Sequence, residues 1–215
     1  MVDDAIPEPG RHVRNGPGRP RSRAVDQAIL RAALELFIDH GVEGASIEKI
    51  ARRAGVAKTS IYRRWPSREA LLAQAVEVAR NAAGPTIEVI DRASPHDMIN
   101  LLVNVSEIAA RPEIRKLMAR LMGSVPDRPQ LMNVYRETYY LPRRRAVTRA
   151  LERVRAAGLL PPDTDIEALV DMILGALTHH LLAGAPGTST AAELRAYLIR
   201  ILRQAGFDIS EIAPR

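Results

Sequence analysis

Residues 46–65 read SIEKIARRAGVAKTSIYRRW. Two apolar stripes flank a glycine: Ile47, Ile50, Ala51 and Ala54 before Gly55, and Ala57, Ile61 and Trp65 after it. Each stripe recurs at the three- and four-residue spacing of a helix face. Ser46 is a good N-cap for the first helix, although Lys49 stands where a full capping box has Glu or Gln. Helices this short are not stable alone, so neighbours must hold both. A tight turn at Gly55 lets the second helix stand out from the body and enter a groove. On a wheel through 57–65, Ala57, Ile61 and Trp65 face inward, while Lys58, Thr59, Tyr62 and Arg63 face outward. An ammonium, a hydroxyl, a phenol and a guanidinium on one face suit base edges and phosphates in the major groove of DNA. Bases are read mostly near the start of such a helix, which assigns Lys58 and Thr59 to bases. Tyr62, Arg64 and Arg68 fall to the flanking backbone, and Arg63 to either. Ser46, at a helix N-terminus, is placed to meet a phosphate.

The segments on either side are also helical. Before residue 46, Val25, Ile29, Ala32, Ala33, Leu36 and Phe37 recur at helical spacing until Gly41 stops the helix. After Trp65, Pro66-Ser67 ends one helix and caps another, which runs from near Arg68 toward Gly84-Pro85. Ser94-Pro95 and Pro112 open two more. A long segment, about 128–157, contains Pro142, which should kink or split it. Two apolar segments follow, about 163–183 and 190–205. No stretch alternates with period two for long enough to be a strand. The expected fold is all-α, with nine or ten helices: a flexible basic arm over 1–23, a three-helix DNA-binding domain over 24–70, and a larger helical domain over 71–215.

Charge is unevenly spread. The 215 residues carry a net +6, yet residues 10–70 hold thirteen Lys/Arg against six Asp/Glu. A basic concentration of this kind suits a polyanion, whose neutralised phosphates release counterions, and also suits a merely solvated surface. The absence of cysteine removes disulfides, thiolate metal sites and cysteine nucleophiles, and fits a reducing cytoplasm. The N-terminal residues have no apolar run of the signal-peptide kind. Asp171, His179 and His180 interrupt the most apolar stretch, 168–185, so a buried helix explains it better than a membrane span. Adjacent histidines point about 100° apart on a helix and do not share one metal easily. No nucleophile elbow, phosphate-cradling glycine loop or zinc spacing is present. The expectation is a cytoplasmic protein that is not an enzyme, with no metal and no cofactor.

Gly41-Val42-Glu43-Gly44-Ala45-Ser46-Ile47, Ile50-Ala51, Ala54-Gly55-Val56, Tyr62, Trp65 and Leu71 together resemble the N-terminal DNA-binding region of TetR-like regulators. The likeness covers about residues 24–72. Trp65 stands where such proteins often have Phe, and Arg68 where they often have Lys. The resemblance implies a homodimeric repressor of transcription that binds a palindromic operator on double-stranded DNA. It implies release from DNA when a small molecule enters the C-terminal domain. It also implies a dimer built from the last two long helices, about residues 163–184 and 190–206. Two alternatives stay open: a DNA-binding protein without a ligand, and an activator.

Two further sets of residues are candidates. In the arm, Gly18-Arg19-Pro20-Arg21 resembles the Gly-Arg-Pro core that enters narrow A·T-rich minor grooves, which makes Arg19 and Arg21 candidate contacts. The alternative is a basic tail that only raises non-specific affinity. For an effector pocket, Met98, Leu102, Met118, Leu121, Met122, Met132, Tyr135 and Tyr139 lie on the central helices. Methionine adapts to varied ligands, and a mostly apolar effector is expected; ordinary core is the competing reading for each. Arg143, Arg144 and Arg145 read as a solvated basic face rather than an anionic-ligand site.

Overall fold

The computed structural model describes residues 23–183 and 190–210, which are helical with no strand among them. The helix α1 (Arg23–Gly44) buries Ile29, Ala32, Ala33, Leu36 and Phe37, the stripe its spacing predicts, and breaks where Gly41 takes a φ of 67°. In α2 (Ile47–Ala54) the Ser46 hydroxyl accepts from the Lys49 amide at 3.3 Å, and Gly55 closes the helix at φ 67°. A side chain at that φ is strained, which explains glycine at the turn. The next helix, α3 (Lys58–Tyr62), is shorter than 57–65. Ala57 lies outside it as an extended N-cap and is exposed, not packed inward. Ile61 and Trp65 are buried as expected. Ser67 then caps α4 (Arg68–Ala83), accepting from the Ala70 amide at 3.0 Å.

The remaining helices are α5 (Ile87–Arg92), α6 (Pro95–Ala109), α7 (Pro112–Gly123), α8 (Pro129–Tyr135), α9 (Leu141–Ala156), α10 (Ile166–Ala183) and α11 (Ala191–Gln204). A π turn, Arg136–Tyr140, joins α8 to α9. Pro142 follows it directly. The helix therefore continues through Pro142 without splitting: one widened turn accommodates a residue that has no N–H to donate. Counted as one run, α8 to α9 brings the described helices to ten. α5 had no sequence signal, because its only buried residue is Ile90. The last helix carries a full capping box between Thr190 and Glu193.

Two large apolar cores result, with a small third cluster around Ala109, Leu194 and Leu198. The first joins α1–α4 to α7, α8 and the π turn, with Phe37, Ile50, Ile61, Leu71 and Leu72 against Leu117, Leu121 and Leu131. The second joins α5, α6, α9, α10 and α11 around Ile99, Val103, Leu151, Val154, Ile166 and Leu202. Polar ties add to the first: Arg120 on α7 donates to the Ile38 and Asp39 carbonyls at 3.1 and 3.2 Å, and Arg128 pairs with Glu43. Those carbonyls lie in the last turn of α1 before its break, where helical partners run out.

By length and composition α10 is the one described helix that could cross a membrane. Its Ile166, Leu169, Val170 and Ile173 are buried in the second core, and its Glu167 and Asp171 pair with Arg144.

Leu121 of α7 is fully buried in the first core. Leu121→Ala is expected to cost about 2–5 kcal/mol, read as one cooperative loss in a denaturant melt followed both by far-UV circular dichroism and by Trp65 fluorescence. Separate transitions for the two probes would show that the first core does not unite the helices.

Candidate functional site

Four residues make the outward face of α3 and its C-cap. Tyr62 is 56% exposed, a large value for an aromatic, and Lys58, Thr59 and Arg63 are exposed beside it. Lys58 donates from Nζ to Glu48 Oε1 at 2.7 Å. That bond is the main reason the Glu48 carboxyl is held below the usual range, with a bond from its own amide next. Both side chains are about half exposed, and surface ion pairs of this kind are weak because solvent screens them. Lys58 is therefore parked on Glu48 and can be released cheaply. Sequence reasoning missed Glu48, because its partner lies across the turn and on another helix.

Arg64 does not share this face. Its side chain is 8% exposed, pairs with Asp26 on α1, and donates from Nη1 to the Ser60 carbonyl at 2.7 Å. The expected backbone contact is corrected on that ground. Residue 64 lies past the end of α3, so wheel geometry no longer places it. Arg68 is part-buried at the first position of α4, donating to the Val42 carbonyl at 3.4 Å and to Glu69 at 3.2 Å. Ser46 Oγ accepts from the Lys49 amide at 3.3 Å, and its hydroxyl also bonds the Glu48 carboxylate. Arg19 and Arg21 lie outside the described residues.

A second candidate site is a cavity of about 450 Å³ between the first core and a small cluster of α6, α10 and α11 around Ala109, Leu194 and Leu198. That lies within the ~300–1,000 Å³ of ligand pockets. Its walls come from the end of α4 (Arg80), from α6 (Val105, Ile108, Ala109), from α7, the π turn, α9, and α10 (Leu174, Leu177, Leu181). Of the eight residues expected there, Met118, Met122, Tyr135 and Tyr139 line it. The other four do not. Met98 is buried in the second core with Leu102 at its edge, and Leu121 and Met132 belong to the first. An apolar stripe marks what is buried, but not which buried side chains border a void.

The basic run after Pro142 is also corrected. Arg143 and Arg144 line the cavity and are not a solvated face. Arg144 holds Glu167 at 2.6 Å and also Asp171. Arg143 lies over the Tyr139 ring, 5.0 Å from its centroid. Arg80, whose guanidinium carbon is 5.7 Å from the same centroid, had no sequence signal at all. On α10, His180 stacks against Tyr197 of α11 at 4.5 Å.

Known proteins share both halves of this plan. Residues 29–75 match the family described as bacterial regulatory proteins, tetR family. Residues 89–201, more than half the chain, match the tetracyclin repressor-like C-terminal domain. An uncharacterised HTH-type transcriptional regulator of Bacillus subtilis (strain 168), YdeS, is 30% identical over 166 residues, which are 77% of this chain and 82% of that one. The HTH-type transcriptional regulator AqdR of Rhodococcus erythropolis is 28% identical over 71% of this chain and 72% of its own. A solved structure from Mesorhizobium loti, assigned to the same family, superposes with a TM-score of 0.66 over 86% of this chain and all of its own; at 21% identity that likeness is one of fold. On these matches and on the helix-turn-helix described above, the chain belongs to the TetR family of HTH-type transcriptional regulators.

Proposed function

We propose that this regulator is a homodimeric repressor that binds a palindromic operator through two copies of α3 and is released by a small molecule in the cavity. The observation that carries the DNA reading is the exposed Tyr62 beside Lys58, Thr59 and Arg63, on a helix whose opposite side is anchored by Ile61. Lys58 and Thr59 are assigned to base edges. Tyr62, Arg63, Arg68 and the Ser46 hydroxyl are assigned to the flanking phosphates, and Arg19 and Arg21 of the arm to the minor groove. Arg64 is withdrawn from this set. The working division is an arm over 1–23, a DNA-binding unit over 24–70 and a regulatory unit over 71–215, in the cytoplasm.

The dimer reading rests on α10. Met172 is 61% exposed, and Ala168, Gly175, His179 and Leu182 are exposed along the same side. An apolar stripe of this length on a surface helix calls for a partner. A second copy meeting it across a two-fold axis, with α11 beside it, gives a four-helix interface. The reading of ligand control is supported by what borders the cavity. Its walls belong to α4 and α7, which share a core with α3, and to α10. A ligand that prefers one spacing of those helices shifts DNA affinity by its differential affinity for the two states.

The direct test is fluorescence anisotropy against DNA from upstream of the protein's own gene and against a shuffled fragment, across a salt series. A preference of roughly a thousandfold or more at about 0.15 M salt is expected. Equal and steeply salt-sensitive binding to both fragments would reduce the reading to charge attraction alone.

Three expectations sharpen it. Lys58→Ala should relax base preference at one operator position, by about 1–3 kcal/mol of discrimination, whereas Tyr62→Ala should weaken all sequences evenly. If operator selection data show the reverse pattern, the roles are exchanged. Arg63→Ala should weaken DNA binding and leave the melting temperature alone; Arg64→Ala should lower the melting temperature of the free protein, because it strands Asp26. Equal melting temperatures would return Arg64 to the DNA face. Finally, Met172→Glu should convert the dimer to monomers in sedimentation at micromolar concentration and weaken operator binding with it. A dimer unchanged by that variant would place the interface elsewhere.

A further inference from the structure

The cavity holds an arrangement that neither packing nor DNA binding uses. Arg80 from α4 and Arg143 from α9 both lie over the ring of Tyr139, with guanidinium carbons 5.7 and 5.0 Å from its centroid. Tyr135 stacks on Tyr139 at 5.3 Å. Arg80 Nε is buried and has no hydrogen-bond partner. Arg143 donates to neutral oxygens, Asn81 Oδ1 at 3.3 Å and the Pro85 carbonyl. Among the described residues neither arginine forms an ion pair. The acid on the cavity wall, Asp171, is held by Arg144 together with Glu167.

Two guanidinium groups thus share one part-buried place with no anion between them. Arginine does not shed its proton there, so both stay charged. Tyr135 does not supply the missing charge: burial pushes its hydroxyl up to about 12, the two arginines pulling the other way, which leaves it neutral at pH 7. Burial also pulls the Arg143 pKa down, against the pull of the tyrosines and with Arg80 adding to it, the direction expected of a cation that lacks compensation. A cation taken from water costs free energy until it is paired and hydrogen-bonded. The group that suits two guanidinium forks is a carboxylate, which each can meet with parallel N–H donors. Apart from the Arg144–Asp171 pair and Thr178, the rest of the wall is mostly apolar, with Val105, Ile108, Met118, Met122, Leu177 and Leu181.

We propose that the effector is an organic acid whose carboxylate sits between Arg80 and Arg143 at the tyrosine end of the cavity and whose apolar body lies along α6, α7 and α10. This rests on the reading of the cavity as the effector site. It changes the expected chemistry from a mostly apolar molecule to an amphiphilic anion. A cationic ligand caged by the tyrosines is the opposite alternative, and the two arginines already over Tyr139 oppose it by like charge.

The test is calorimetric titration of the full-length protein at about 0.15 M salt with two molecular frames, octanoate and 4-phenylbutyrate, each beside its alcohol and its ammonium counterpart. The carboxylate of at least one frame is expected to bind about tenfold or more tighter than its alcohol, with the ammonium weakest. In Arg80→Met and in Arg143→Met that preference should shrink to within about threefold while affinity for the alcohol is kept. A merely structural role for the arginines would weaken every head group alike. Thermal melts check folding, and should Arg143→Met fail to fold, Arg80→Met and the head-group comparison in the native protein decide the matter. Carboxylate and alcohol binding equally would overturn the anion and leave the cavity as the effector site. The ammonium binding best would overturn it in favour of the cage. No probe binding at all would overturn the anion and the cavity reading together.

Discussion

The structure depends on one constraint: α2 and α3 are too short to stand without a core supplied by others. Ile50 and Ile61 are fully buried only because Phe37 of α1 and Leu71 and Leu72 of α4 surround them, and these in turn meet Leu117, Leu121 and Leu131 from α7 and α8. The helix that presents Tyr62 is therefore seated on the same apolar cluster as helices far along the chain. α4 has a second consequence. It begins at Arg68, next to α3, and ends near Arg80 in the cavity wall. One straight element thus joins the proposed DNA face to the proposed effector site.

Arginine usage separates structural from functional charge. Arg64 is committed to Asp26, Arg144 to Glu167 and Asp171, and Arg149 to Asp91, while Arg120 caps carbonyls of α1. Each of these ties two helices together. Arg63 points to solvent beside Tyr62, and Arg80 and Arg143 meet inside the cavity. Of the charges that form no ion pair among the described residues, Arg63 lies on the face suited to phosphates, and Arg80 and Arg143 in the cavity suited to a carboxylate. Lys58 is intermediate, since its exposed bond to Glu48 is weak enough to exchange for a base or a phosphate.

How far the sequence could be read follows from the range of the interactions. Caps, breaks and stripes are local, so Ser46, Gly41, Gly55 and Ser67 were legible, as was the inward set of α1. The outward face of α3 followed from the same spacing. Errors began where helical spacing stopped applying. Ala57 and Arg64 flank a five-residue helix, and a wheel drawn through them assumes turns that are absent. The cavity was legible only in part. Its aromatic side chains stand one turn apart at the π turn, a local signal, but Arg80 and Arg143 meet only because α4 and α9 pack together. Met98 and Leu121 have the same apolar character as Met118 and Met122, and nothing local tells a residue inside a core from one beside a void.

The placement of α10 bears on how the two proposed sites would communicate. One side of this helix contributes Leu174, Leu177 and Leu181 to the cavity, while Met172 and Gly175 face outward toward the proposed partner copy. Gly175 also borders the cavity, so a single helix thickness separates ligand from interface. In a two-fold dimer, α10 is the element least free to move, because its partner holds it. A ligand that widens the space between α10 and the end of α4 must then displace α4. The far end of α4 carries α3 with it through the shared core. Reading two half-sites one helical turn apart requires the two copies of α3 to be about 34–36 Å apart. A small rotation of α4 about its cavity end changes that separation in both protomers at once, and the two displacements add. On this geometry an effector needs no contact with α3. It needs only to fit better when α4 and α10 stand farther apart than the DNA-bound spacing allows.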